Sequence, residues 1–404
     1  MKIDREYPRF IISAKGTHRV EQGHPWIYDT DILSGGDCEN GCLVDAVSEK
    51  GRYLGTGFLS LESKIRIRII SRNANDKFDE AFWRRRVSYA WQYRKTVMRD
   101  DISCCRVIFG EADSFPGLTV DRFSDILVTQ TLSVGIEQIK HTLFPIIVDV
   151  LRSDGQQISG VYERNDVKLR ELEGLEQNKG FFILPGSPCP DSTVTRICEN
   201  GILYDVDFEN GQKTGFFLDQ KYNRLAVACI AEGKRVLDCF THTGSFALNA
   251  AKGGAAHVTA VDVSASAVSQ AQKHAELNGL ADRMDFVCAN VFDLLPELKP
   301  EYDLIILDPP AFTKSRKTVH SAEKGYKEIN LRALRLLPRG GYLATASCSH
   351  FMPSELFVKM LTSAACDAGV QLRQIEARQQ APDHPILWNV PETDYLKFYI
   401  FQIV

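Results

Sequence analysis

The chain has 404 residues, 44% of them hydrophobic, which is enough for two or three packed domains with separate cores. Forty-eight Lys and Arg against fifty-two Asp and Glu give a net charge of −4, which excludes a global basic field, so any nucleic-acid contact must be local. The sequence opens without a signal-peptide core and no stretch reaches the ~18 uninterrupted apolar residues of a membrane span; the eleven cysteines form neither C-x-x-C nor Cys/His groups at zinc spacing. A reduced cytoplasmic chain with no membrane partner and no metal is expected.

From residue 1 to about 72, glycines at 35, 36, 41, 51, 55 and 57 punctuate short β-prone runs, which predicts a small β-rich module. Within it, Lys64-Ile65-Arg66-Ile67-Arg68-Ile69 alternates at the strand period, three cations on one face and three isoleucines on the other. The pattern suits a solvated edge at least as well as a phosphate-facing stripe. A helix is expected from Phe78 to about Arg99, and residues 61–100 carry eleven basic against five acidic side chains with Trp83, Tyr89, Trp91 and Tyr93 interleaved. A phosphate backbone would favour such a patch, although aromatics at this spacing are more often core. Strand-like runs at Ile126–Thr131 and Gly160–Tyr162 around a helical segment near 136–151 predict a central α/β domain over 73–190, closed by the Pro-rich stretch at 185–190.

From 191 to 404, strand and helix patterns alternate: 235–238, 246–251, 257–262, 265–278, 284–288, 304–307, 329–337 and 342–347. This alternation predicts an α/β, Rossmann-like sheet with ligands at the carboxyl ends of its strands. The first strand-to-helix turn, Asp238-Cys239-Phe240-Thr241-His242-Thr243-Gly244, lacks the G-x-G-x-x-G that admits a pyrophosphate, so a dinucleotide is disfavoured. S-adenosylmethionine has no phosphate; its amino-acid end and sulfonium suit the strand-end acid Asp238 and a close-approach glycine, Gly244. Asp262, twenty-four residues on, ends the second strand, where a carboxylate can accept both ribose hydroxyls, and Asn290 follows the third, where an amide can read an adenine edge. One strand-end Asp is often only a helix cap. Three polar ends on successive strands are hard to dismiss.

The fourth strand runs into Asp308-Pro309-Pro310-Ala311-Phe312, and the fifth ends in Cys348-Ser349-His350. C5 of a pyrimidine is too poor a nucleophile to take a methyl group unaided; a thiolate must first add to C6. As one of eleven thiols Cys348 would read as core. Its address, on the rim of the strand after D-P-P, makes it the candidate nucleophile, with Asp308 hydrogen-bonding the N3 or N4 edge of a cytosine. A Cys/His hydrolase is discounted because His350 has no third orienting group. The base must leave its stack to be reached, so a single-stranded or loop nucleotide is the expected substrate.

These strings resemble the bacterial PUA-containing 5-methylcytosine methyltransferases of large-subunit ribosomal RNA over nearly the whole chain. The likeness is carried by Gly23-His24-Pro25-Trp26, by residues 109–122, by Tyr162-Glu163-Arg164, by residues 209–220, by the Asp238–Gly244, Asp308–Lys314 and Ser347–Ser349 loops, and by the tail at 382–385 and 391–397. The resemblance implies a PUA-like barrel over 1–72, a methyltransferase domain over 191–404, an RNA partner, Cys348 and Asp308 in catalysis, and Gln220, Asp238, Phe240, Gly244, Asp262, Asn290 and Asp308 at the cofactor. A related branch that methylates guanine N7 shares the D-P-P loop without the cysteine, so Cys348 favours cytosine C5. The second cysteine of some other cytosine-C5 RNA enzymes is replaced by Leu307, which leaves the release step unassigned. The competing readings are methylation of a base nitrogen (guanine N7 or an exocyclic amine) with no adduct, and a non-catalytic RNA-binding protein, which the intact Asp238, Gly244, Asp262 and Asp308 oppose. Apolar surface on the N-terminal modules would allow a homodimer.

Overall fold

The computed structural model describes residues 5–313 and 315–404; Lys314, the last residue of the D-P-P string, lies outside the described residues. The chain divides into two units, one built from residues up to Ile197 with Asp205–Leu218 and Pro382–Thr393, the other from Cys198–Tyr204, Asp219–Ala381 and Asp394–Val404.

In the first unit, β1 (Arg9–Ile12), β2 (Trp26–Tyr28), β3 (Ile32–Gly35), β4 (Leu43–Ser48), β5 (Tyr53–Leu59) and β6 (Ile65–Ser71) form a sheet of order β2-β6-β5-β4-β1-β3, parallel at β1/β4 and antiparallel elsewhere. Its core gathers Phe10, Ile12, Val20, Ile27, Val44, Leu59 and Ile67. A helix, α1 (Ala14–Glu21), stands where the sequence reading had only strands and turns. Ser13 caps it, its Oγ accepting from the Gly16 amide at 3.2 Å, and Val20 anchors it in the core.

The basic alternation on β6 is not a free stripe. β6 lies inside the sheet, Arg68 is buried against Glu173 at 2.9 Å, and Arg66 donates to the Ser60 carbonyl at 2.8 Å. Bulges against β2 and β5 break the simple two-residue alternation.

A second sheet of the same unit comprises β7 (Cys104–Phe109), β8 (Leu118–Phe123), β9 (Ile126–Thr131), β10 (Gly160–Asn165) and β11 (Asn178–Phe182), in order β11-β10-β9-β8-β7. α2 (Glu80–Met98) precedes it, and α3 (Val134–Ser153) makes the crossover between the parallel strands β9 and β10. α2 buries Trp83 and Trp91, so these are core and not base platforms; Tyr89 remains exposed. Much of the helix's positive charge is used internally: Lys95 meets Asp154 at 2.6 Å, Arg84 meets Glu80 at 3.1 Å and Arg85 meets Asp76 at 3.5 Å. Arg94 is wholly buried and holds Asp113 with two bonds of 2.5 and 2.7 Å while donating to the carbonyls of Arg106 and Asp383. The Pro382–Thr393 segment is bound into this unit because Asp383 accepts from the Arg106 amide at 2.8 Å and Glu392 meets His24 at 3.1 Å.

A hairpin of β12 (Val194–Glu199) and β13 (Ile202–Asp207) carries the chain onward. In the second unit the strands are β14 (Arg235–Cys239), β15 (His257–Asp262), β16 (Met284–Cys288), β17 (Leu304–Leu307), β18 (Tyr342–Ser347), β19 (Leu372–Arg378) and β20 (Lys397–Ile403). The helices are α4 (Lys221–Ile230), α5 (Ser245–Lys252), α6 (Ala265–Leu277), α7 (Val291–Leu294), α8 (Val319–Leu336) and α9 (Ser354–Ala368). The sheet order is β16-β15-β14-β17-β18-β20-β19, with the first five strands parallel and β20 antiparallel to both of its neighbours. The parallel strands read as apolar runs because both faces are covered: Leu237, Val261, Ile305, Leu307 and Leu343 meet Ile329, Ala333 and Ala364 of the helices in one core. Strand order reverses between β14 and β17, so the crevice at their carboxyl ends is where this fold receives a ligand.

Replacing Arg94 by Met leaves Asp113 buried beside an apolar chain, and a loss of about 3–5 kcal/mol is expected in urea unfolding of the first unit. All four tryptophans, Trp26, Trp83, Trp91 and Trp388, lie in that unit, so intrinsic fluorescence reads it selectively. An unchanged midpoint would show that the Arg94 network does not hold the unit together.

Candidate cofactor and catalytic site

The site is assembled from loops at the carboxyl ends of β14, β15, β17 and β18. Asp238, one residue from the end of β14, is completely buried. Thr241 Oγ1 donates to its Oδ2 at 2.6 Å and the Ala247 amide donates to the same oxygen at 2.9 Å. Its other oxygen, Oδ1, is buried without a hydrogen-bond partner. An orphaned buried acceptor is costly unless a ligand supplies the donor. Burial pushes the Asp238 carboxyl up to about 7, and the neighbouring Asp308 and Asp262 carboxylates add to the rise against the two hydrogen bonds that favour the charge.

The turn after Asp238 is strained. Phe240 (φ 65°) and His242 (φ 51°) both occupy the left-handed region without being glycine. Gly244 (φ 85°) begins α5, and a Cβ there would come within 2.9 Å of the Ala271 side chain on α6. The glycine therefore serves the turn and the packing of two helices, a reason internal to the fold. Asp262, at the end of β15, accepts from the His242 amide through Oδ2 and from the Ser264 amide through Oδ1, both at 2.9 Å. That pair of bonds ties the first two strand-end loops together. Asn290 is exposed and caps α7, accepting from the Phe292 amide at 3.1 Å and donating to Asp293 at 2.9 Å.

Asp308 is partly buried, and Gln220 Nε2 donates to its Oδ1 at 2.9 Å. Gln220 is itself buried and accepts from Asn223 Nδ2 at 2.6 Å, so the amide that orients Asp308 is oriented in turn. Cys348, immediately beyond β18, is partly exposed, and its Sγ lies 4.0 Å from the Pro309 carbonyl oxygen. The two loops are joined a second time, because Ser349 Oγ donates to the Thr313 carbonyl at 2.9 Å. Beneath them the buried Tyr326 hydroxyl is 3.1 Å from Ser347 Oγ, and its ring packs 4.6 Å from that of Phe312. Thus Gln220, Asp238, Phe240, Asp262, Asp308 and Cys348 converge on one rim.

The residues that hold these groups, Thr241, Tyr326, Ser349 and Lys397, were not legible in advance. Tyr326, Ser349 and Lys397 act through contacts between elements distant in sequence, and Thr241 acts within its own turn, three residues from Asp238. Lys397, opposite Ser347 on β20, is the clearest case.

A parallel-strand crevice of this order, with acids at the ends of its first, second and fourth strands, defines a class I S-adenosylmethionine-dependent methyltransferase. Residues 184–398 match the family described as S-adenosylmethionine-dependent methyltransferase, and residues 10–72 match the PUA-like domain. The chain is 40% identical to the ribosomal RNA large subunit methyltransferase I of Shewanella denitrificans over 95% of its length and 96% of that protein's. It is 36% identical to the protein of that name from Klebsiella pneumoniae over 99% of its length and all of the relative's. A methyltransferase solved in complex with SAH shares the fold at TM-score 0.81 and 24% identity, over 98% of this chain and 99% of that one. The chain belongs to the S-adenosylmethionine-dependent methyltransferases, in the family of the ribosomal RNA large subunit methyltransferase I proteins.

The residues present fit this cofactor. It brings an ammonium and hydroxyl donors and no phosphate, and the rim offers the orphaned Asp238 oxygen and the Asp262 carboxylate, with no glycine-rich pyrophosphate cradle in the first turn. A donor meeting Asp238 binds its ionised form. With the carboxyl titrating at about 7, affinity for SAH is expected to rise about tenfold from pH 6 to pH 8 in calorimetry. Asp238→Asn should bind more weakly and lose this pH dependence; a flat profile in the unaltered protein would remove Asp238 from the cofactor site. Ligand-free stability has the complementary dependence, present below the ordinary carboxyl value of ~3.9 and lost as pH rises through about 7.

Proposed function

We propose that this protein methylates C5 of cytosine in large-subunit ribosomal RNA through a Cys348 thiolate adduct, with Asp238, Asp262 and Gln220 among the residues that hold S-adenosylmethionine. One observation carries the reading: a partly exposed thiol stands on the rim of the fifth parallel strand, 4.0 Å from the carbonyl of Pro309 in the D-P-P loop. Methylation of a nitrogen has no use for a nucleophile there. The names of the relatives supply the RNA class, and the PUA-like module is consistent with an RNA partner.

S-adenosylmethionine supplies an electrophilic methyl group on sulfur. The Cys348 thiolate bonds to C6, the C5–C6 π pair moves into the ring, and a proton is taken up at N3, so C5 becomes enamine-like. Asp308 holds the N3 and N4 edge of the base, and Gln220 keeps that carboxyl group in one orientation. C5 then takes the methyl group, releasing S-adenosylhomocysteine; the C5 proton leaves to a base, the returning electron pair breaks the C6–S bond and frees the thiolate, and N3 gives back its proton. Pro309 and Pro310 stiffen the loop against which the base lies. The target cytidine leaves its stack to enter, which favours a loop or single-stranded segment.

The test is nucleoside mass spectrometry of ribosomal RNA from cells lacking this protein, after treatment with the purified chain and methyl-labelled cofactor. Label is expected in 5-methylcytidine. Cys348→Ala should lose on the order of 10³-fold or more in turnover while still binding SAH. Label in a methylguanosine or methyladenosine, with Cys348→Ala fully active, would sink the thiolate mechanism.

A further inference from the structure

β20 enters the sheet between β18 and β19 and sets Lys397 directly across from Ser347, the residue before Cys348. The lysine side chain is 4% exposed. Its Nζ donates to the Ser349 carbonyl at 2.7 Å and to the Tyr395 carbonyl at 2.9 Å. An ammonium is thus buried under the turn that carries the thiol, held by backbone oxygens and with no carboxylate at ion-pair distance among the described residues. Neutral donors would satisfy two carbonyls, and burying a charge is unfavourable; the Asp394 carboxylate offsets part of that cost.

The thiol gives a further reason for a cation at this place. A free cysteine ionises near ~8.5, and its thiolate is the nucleophile. Among the described residues, the Asp394 carboxylate before β20 also favours the lysine's charge, while Asp308 on the β17 loop is a further acid near the Tyr326 phenol of α8, which burial pushes up to about 12. Lys397 and Cys348 interact electrostatically in the sense that favours both charges.

We propose that Lys397 is a positioning and electrostatic residue for the nucleophile, its ammonium clamped beneath the Ser347–Ser349 turn so that Cys348 is held as a thiolate. The proposal rests on Cys348 being the reactive thiol of the preceding section. Burial pulls the lysine down to about 8, so it remains mostly protonated at neutral pH, and ionisation of the thiol strengthens that charge in return. The two groups titrate as a pair.

The experiment is peptide-resolved alkylation of the full-length protein by iodoacetamide across pH 6–10, without RNA. In the unaltered chain the Cys348 rate should reach half its maximum below the free-thiol value of ~8.5. Lys397→Gln, neutral but still able to donate to both carbonyls, should move that midpoint upward by about one unit and lower the rate near pH 7 about tenfold. Lys397→Arg should restore the profile, and the exposed Cys189 and Cys229 serve as controls that no variant should move. A Lys397→Gln profile superimposable on the unaltered one overturns the proposal. So does a midpoint at or above the free-thiol value in the unaltered protein, a result that needs no variant to fold. Methyl transfer is absent from the readout. A shifted profile alongside a fully active Cys348→Ala would defeat the function proposed above and leave the Lys397 pairing standing.

Discussion

Two hydrogen bonds to a single oxygen of Asp238, from Thr241 Oγ1 and the Ala247 amide, tie the turn after β14 and the start of α5 to the strand end, and the rest of the candidate rim is built around them. The turn they hold carries Phe240 and His242 in left-handed backbone and leads into α5 at its cap, Gly244. The second oxygen is left buried and unpartnered, and burial, with the Asp308 and Asp262 carboxylates nearby, pushes the carboxyl up to about 7. A buried acceptor of this kind is unfavourable unless a ligand brings a donor. Asp262 extends the same economy of contacts, bonding the His242 amide and thereby coupling the second strand's loop to the first.

Across the switch point the arrangement is built from a different kind of restraint. Asp308 and Cys348 belong to neighbouring strands, and their loops are laced by the Ser349–Thr313 bond, by the Tyr326–Ser347 contact below, and by Gln220 from the segment preceding α4. Lys397 closes the set from the antiparallel strand. Precision comes from several short polar bonds spread over five elements, so a modest change in any one loop is resisted by the others.

In the first unit, charge serves architecture. The excess of basic residues between 61 and 100 resembles a phosphate-binding face in the linear sequence, but Arg66, Arg68, Arg84, Arg85, Arg94 and Lys95 each find an internal or neighbouring acceptor. Bidentate guanidinium–carboxylate pairs such as Arg94–Asp113 fix the geometry between α2 and the turn that follows β7 in a way that an apolar contact would not. Surface ion pairs on the same helix are worth little individually.

The sequence by itself determined the parallel part of the second unit. Apolar runs at 257–262, 284–288, 304–307 and 342–347 coincide with the strands, because strands covered on both faces must be continuously hydrophobic. It also determined the strand-end acids and the thiol, since Asp238, Asp262, Asp308 and Cys348 each fall at or just past the carboxyl end of an apolar run. Register and long-range capping were decided by tertiary structure. Nothing local says that β20 inserts antiparallel beside β18, that Lys397 falls opposite Ser347, that Gly244 answers to Ala271, or that Arg94 is core. A strand carries its side-chain period in its own sequence, whereas its partner is set by which exposed backbone edge remains once the rest of the sheet has formed.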